Sequence, residues 1–216
     1  MAMIINVFNL YSERWPFFLE LLLQHIAITS FAVLIITILG LIIGIAMTKN
    51  TRLAAIVLMI TNFLYTIPSI ALLGLLVTIT GIGNKSAIVA LVIYGLLPMI
   101  RNTYVGIKEV DAQMIESAIG MGTTAKQLLF KIQLPQALPV MMNGFRTMVI
   151  MTIALGGIAS FIGAGGLGVA IYRGISSYYP EMIIAGSLLV ASLAIIVDMI
   201  LQKIENILTK RMLGKR

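Results

Sequence analysis

The sequence predicts an all-α integral membrane protein with five transmembrane helices. Composition is the first reason. Of 216 residues, 60% are hydrophobic and only 11% charged, with a mean hydropathy of +1.05, against about 45–50% apolar and about 25% charged in a soluble domain. Spacing is the second. A helical crossing takes about 20 residues, and apolar stretches of that length recur five times between polar turns. The third is the uneven placement of Lys and Arg along the chain. One transmembrane domain, residues 21–201, is expected, with an interfacial segment before it (1–20) and a basic tail after it (202–216).

Residues 1–20 carry Trp15, Pro16, Phe17 and Phe18 beside Glu13 and Arg14, a pattern of aromatics at headgroup level. No basic stretch precedes an apolar core and no A-x-A-like site follows, so a cleaved signal peptide is not expected. The first span is expected over 21–47. Gly40 and Gly44 within it have the spacing that lets a second helix approach closely, and packing inside the one chain is the expectation. Lys49 and Arg52 mark a basic turn. The second span, 53–79, contains Pro68, which removes a helix hydrogen bond and predicts a kink or break. A tight turn over 81–86 leads to the third span, 87–104, which Pro98 bends. The fourth span is expected over 140–161. A glycine-rich loop, 163–168, and the sequence Tyr178-Tyr179-Pro180 then precede the fifth, 182–201.

Five crossings put the two termini on opposite sides. Arg14, Lys85 and Arg173 fall on one side and Arg146 within the fourth span, leaving the other eleven of 15 basic residues on the second side. The positive-inside rule makes that second side the cytoplasm, with the N-terminus out and the C-terminus in. The net charge of +7 is thereby read as a topology signal beside anionic lipid, and nucleic acid is not an expected partner.

Residue types exclude several chemistries. Cysteine is absent and His25 is the one histidine, so disulfides, thiolate sites and a histidine metal cluster are not expected. Gly163, Gly165 and Gly168 spell G-x-G-x-x-G, but a dinucleotide fingerprint needs a preceding strand; after a membrane span it reads as an external loop with close backbone packing. Gly83-Asn84-Lys85-Ser86 lacks the Gly-Lys-Ser adjacency of a phosphate loop, so no ATP site is expected. Asp198 is the one carboxylate well inside a span, and no chain of acids forms a proton relay. No catalytic residue is expected; His25 reads as a headgroup-level or packed histidine. Arg146 and Asp198 both lie within roughly 10 Å of the cytoplasmic interface at the helical rise per residue. They are expected to pair across the fourth and fifth spans, the alternatives being that each snorkels alone or that Arg146 meets a carbonyl or the partner chain.

The longest polar interruption, 108–139, has its own local signals. Asp111 can cap a short helix, Gly120 and Gly122 weaken its end, and Thr124 with Gln127 fits a capping box that starts a second helix. Pro135 and Pro139 are expected to prevent a clean continuation. A compact, capped helical knob between two spans reads as a docking surface.

These residues also carry a resemblance. Glu116-Ser117-Ala118, then Gly122, then Ile132, Leu134 and Pro135 match the EAA loop of ATP-binding-cassette importer permeases, with Ser117 in place of the first alanine. The stretch 66–111, GMGTTAKQ and SFIGAGGLG resemble the permeases for glycine betaine, carnitine and choline; the likeness covers about half the chain, 66–174. Gln113 departs from it, standing where a Pro-containing phrase is common. The resemblance implies a type I importer permease whose cytoplasmic loop couples it to a separate ATPase dimer, which holds the ATP and Mg. It also implies a second permease chain, identical or homologous, an external solute-binding protein, and a place in a bacterial cytoplasmic membrane. Thr61, Asn62 and Tyr65 are candidates for the solute path, with lipid or protein packing as the alternative. A permease for methionine or another small solute shares much of the pattern. A secondary transporter would need inverted repeats or coupling-ion sites, and a membrane enzyme a convergent set of titratable groups; neither is evident.

Overall fold

The computed structural model describes residues 2–213, and side chains over 3–210. Lys215 and Arg216 lie outside the described residues, as does the side chain of Arg211. Among the described residues the chain is helical, without strands.

The first long helix starts earlier than the apolar pattern alone implies. A short helix α1 (Ala2–Glu13) is followed after one residue by α2 (Trp15–Met47), with Pro16 in its first turn, where a missing N–H leaves nothing unsatisfied. Residues 15–20 are therefore the opening turns of the first crossing. α1 folds onto the start of the last helix, α10 (Pro180–Leu213). Val7, Leu10, Phe18 and Leu21 share a core with Leu167, Ala170, Met182 and Ala185. The Tyr11 hydroxyl donates to the Ala185 carbonyl at 2.7 Å.

α3 (Thr51–Thr66) is capped by Asn50, which accepts from the N–H groups of Arg52 and Leu53. It breaks at Ile67–Pro68 and continues as α4 (Ser69–Thr80), bent from α3 by 99°. Ile67 is extended, with ψ 128°, as the residue before a proline prefers. Its carbonyl, freed by the break, accepts from the Tyr94 hydroxyl.

α5 (Asn84–Lys108) is the centre of the bundle. It runs parallel to α2: Ile36 meets Gly95, Gly40 meets Met99 and Gly44 meets Thr103. It runs antiparallel to α8 (Leu134–Ala159), where Gly144 meets Asn102 and Val140 meets Gly106. The Gly83 N–H at the start of α5 donates to Ile162 just past α8, at 2.9 Å. The bent pair α3–α4 thus joins the end of α2 to the opposite end of the bundle and counts as one broken crossing. α2, α5, α8 and α10 are each long and apolar enough to cross a membrane, and the bent pair brings the candidate crossings among the described residues to five; α1 and the end of α10 lie at opposite ends.

Two expectations need correction. Pro135 and Pro139 do not interrupt the chain: residues 125–162 form one apolar helical run. A π-helical turn (Leu129–Gln133) precedes α8 and places Pro135 in its first turn. In that turn the Leu134 N–H bonds the Leu129 carbonyl, five residues back. The wider turn carries the hydrogen bonds past the residue that has none to give. The expected tail is also helix as far as Leu213.

The glycine-rich loop follows a single 3₁₀ turn (Ser160–Ile162) and opens a short helix that the sequence reading lacks, Gly168–Ser176 (α9). Gly163, Gly165 and Gly166 have φ of +77°, +74° and +79°, the left-handed region that glycine enters without steric cost. A Cβ on Gly168 would stand 1.8 Å from the Gly157 carbonyl oxygen, so the loop is a close backbone contact.

The α2–α5 crossing yields a direct test. A Cβ on Gly44 would lie 2.6 Å from Cβ of Thr103, whereas one on Gly74 meets nothing within 4 Å. Gly44→Ala is expected to lower the thermal unfolding midpoint in detergent, by an overpacking cost of about 1–3 kcal/mol. Gly74→Ala should leave it unchanged or raise it. Equal midpoints for the two variants would rule out this crossing.

Candidate functional site

The segment between α5 and α8 is shaped by local capping. α6 (Ala112–Gly120) begins with Asp111, whose Oδ1 accepts from the Gln113 N–H at 2.8 Å. It ends in paired closing bonds, Thr123 N–H to the Ala118 carbonyl and Gly122 N–H to the Ile119 carbonyl, with Gly122 at φ +82°. That is the glycine-terminated closure of a helix C-terminus, and it explains why Gly122 stands there. α7 (Ala125–Leu128) opens with both halves of the capping box. The Thr124 hydroxyl accepts from the Gln127 N–H at 3.3 Å, and Gln127 Oε1 accepts from the Thr124 N–H at 2.8 Å.

The two faces of α6 differ. Ala118 is buried and Ile115 half-buried, while Gln113, Glu116 and Ser117 are exposed. Met114, Ile119 and Met121 are exposed too, the last at 78%. Glu116 thus stands beside large apolar side chains that lie outside the membrane-crossing helices and are left exposed in the single chain. Ile132, Leu134 and Pro135 lie apart from this face, half-buried in the π turn and the first turn of α8.

The structure brings Arg146 and Asp198 together and adds a third group. Arg146 Nε donates to Asp198 Oδ1 at 2.9 Å, and its Nη1 donates to Glu205 Oε2 at 2.8 Å. All three side chains are largely covered, at 21%, 33% and 20% exposure. Glu205 was missed because residues 202–216 read as a tail. Its spacing from Asp198, seven residues or two turns, places both on one stripe once α10 continues.

The path candidates separate. Thr61 is buried and its hydroxyl donates to Val57 in its own helix at 2.8 Å. Asn62 is exposed and donates to the Leu58 carbonyl at 2.6 Å. Tyr65 donates to the Met151 sulfur at 3.3 Å and stands edge-on to Tyr94, ring centroids 6.0 Å apart. His25 is 1% exposed and its Nε2 donates to the Ile153 carbonyl at 3.0 Å, so it is a packed histidine.

Removing either end of the charge cluster isolates its strength. Arg146→Ala and Asp198→Ala are each expected to lower thermal stability in detergent, and the double variant to lose less than the sum. Groups in contact couple by on the order of 1 kcal/mol. Strictly additive losses would mean that the two charges do not share an interaction.

Comparison with known proteins accounts for this arrangement. Residues 36–213 match the family described as binding-protein-dependent transport system inner membrane component. The chain is 37% identical over 206 residues to the carnitine transport permease OpuCB of Listeria monocytogenes, covering 95% of this chain and 91% of that one. It is 40% identical over 188 residues to the glycine betaine/carnitine/choline permease OpuCB of Bacillus subtilis, covering 87% of each. It is also 41% identical over 172 residues to the ergothioneine transport permease/ergothioneine binding protein EgtU of Helicobacter pylori, but spans only 31% of that protein's length. Among solved structures, the inward-facing MetNI methionine ABC transporter has the same fold, with a TM-score of 0.81 at 24% identity over 89% of this chain and 96% of that chain. The chain belongs to the binding-protein-dependent inner membrane component family and is a membrane-spanning permease subunit of an ABC importer, a transport subunit and not an enzyme.

Proposed function

We propose that this permease carries quaternary-ammonium osmoprotectants, of the glycine betaine, carnitine and choline type, into the cell. The observation that carries the reading is near-full-length identity to permeases named for those solutes. Ergothioneine bears the same trimethylammonium group, so the partial relative named for it supports the charge class and not one member. Solute recognition resides in a separate binding protein. A trimethylammonium group calls for an aromatic cage; Tyr65 with Tyr94 is a single edge-on pair with Tyr94 buried and does not make one, which agrees with recognition in a separate protein.

In this reading two permease chains form the path. Each offers the exposed face of α6, with Glu116, Ser117 and the neighbouring methionines, to one subunit of a cytoplasmic ATPase dimer. ATP and Mg are held by those subunits. Because α7 continues into α8, displacement of the coupling segment moves a membrane-crossing helix, and the two chains alternate between outward and inward openings. The chain sits in a bacterial cytoplasmic membrane, N-terminus outside and C-terminus inside.

Uptake by the assembled transporter tests the reading. Labelled glycine betaine import is expected to be reduced by excess choline, carnitine or ergothioneine and not by methionine; competition by methionine alone would replace the solute class. Glu116→Arg should insert normally, yet lose both ATPase co-purification and uptake, since a reversed charge at a docking face costs about 2–5 kcal/mol. Undiminished transport by that variant would remove the docking role.

Orientation has its own measurement. An N-terminal tag is expected to react with an impermeant label on intact cells, and a C-terminal tag only after the membrane is opened. Two termini on one side would mean an even number of crossings.

A further inference from the structure

Between the α6–α7 segment and the ends of α2 and α5 lies a cavity of about 690 Å³. Its walls are apolar and come from separate parts of the chain: Ile45 near the end of α2, Ile107 in the last turn of α5, Ile115 of α6, and Leu128, Leu129 and Phe130 beyond it. Three lysines line it as well: Lys49 just past α2, Lys108 closing α5, and Lys126 in α7. All three are exposed. Among the described residues the ion pairs are those of Arg146, so none of these amines has a carboxylate within ion-pair distance. Glu109 and Asp111 are close in sequence but do not line the cavity, and Asp111 is engaged in capping α6.

Charge and position together define the occupant. α2 and α5 are parallel crossings, and Lys49 and Lys108 stand at their ends. The cavity therefore lies where hydrocarbon gives way to headgroups. An apolar cleft lined by three unpaired amines at that level complements an amphipathic anion. We propose that the cavity binds an anionic phospholipid, its phosphodiester among Lys49, Lys108 and Lys126 and its acyl chains against Ile45, Ile107 and Leu128. Such a lipid ties the coupling segment to the ends of α2 and α5. Glu116 is not among the residues that line the cavity. The site does not depend on which solute is carried.

The probe is a lipid of known charge, phosphatidylglycerol. The full chain, carrying Trp15→Phe and Phe130→Trp so that its one tryptophan lines the cavity, is placed in bilayers of phosphatidylglycerol and phosphatidylcholine. Quenching is compared when one or the other lipid is brominated. One lysine near an anionic headgroup shifts partition by roughly fivefold, so enrichment of phosphatidylglycerol at the reporter by at least about fivefold is expected. Replacing Lys49, Lys108 and Lys126 together by Gln should bring the ratio to unity, and replacing all three by Arg should preserve it. If the glutamine triple variant does not elute as a folded species, the single Lys→Gln variants are compared, each lowering the ratio in part. Equal quenching by the two lipids in the parent chain, or enrichment untouched by the glutamine substitutions, would overturn the proposal.

Discussion

The structure depends on how closely α5 approaches α2 on one side and α8 on the other. In lipid an apolar side chain gains little by leaving hydrocarbon for another helix, so association rests on packing and close backbone approach. Glycines supply that approach on both sides of α5. A Cβ on Gly95 would stand 2.5 Å from Ile36 Cδ1, and one on Gly144 2.3 Å from Asn102 Cβ. The remaining elements are arranged around this three-helix contact. α3 and α4 pack on α5, Tyr94 of α5 satisfies the carbonyl at the α3–α4 break, and the C-terminus of α5 leads into the coupling segment.

Proline acts in two opposite ways within this frame. Pro68 turns the chain by 99°, and a tyrosine from a neighbouring helix takes up a freed carbonyl there. Pro135 bends nothing so sharply, because the π turn before it supplies the missing hydrogen bond geometry inside the helix itself. In hydrocarbon the backbone has no water to fall back on. Whether a proline breaks a crossing or is absorbed therefore depends on where the nearest replacement partner lies.

The end of the bundle that carries α6 and α7 holds much of the chain's charge. Arg146 joins α8 to two turns of α10 through Asp198 and Glu205, fixing the last helix to the one that emerges from the coupling segment. α6 is attached mainly through α7, and its caps are built from residues within the segment. The result is a locally folded knob joined to α8 through an unbroken helix. That construction suits a surface whose movement is passed into the membrane.

Much of this was legible in the chain itself. The five crossings follow from apolar runs of bilayer length, and the caps of α6 and α7 from side chains within three residues of the groups they satisfy. Gly40 and Gly44 announced a close crossing by spacing alone, and Glu116 through Pro135 announced the family. Local chemistry determines such features because the interacting groups are neighbours in sequence. Tertiary structure decided the rest. Gly44 found Thr103, α1 found α10, and Glu205 joined Asp198 on Arg146, contacts between residues dozens apart or more. At Pro68 the fold also supplied Tyr94 as the partner of the Ile67 carbonyl, whereas at Pro135 the replacement bond is local. Sequence specifies a residue's capacity to bond, whereas the partner's position is set only when the helices pack.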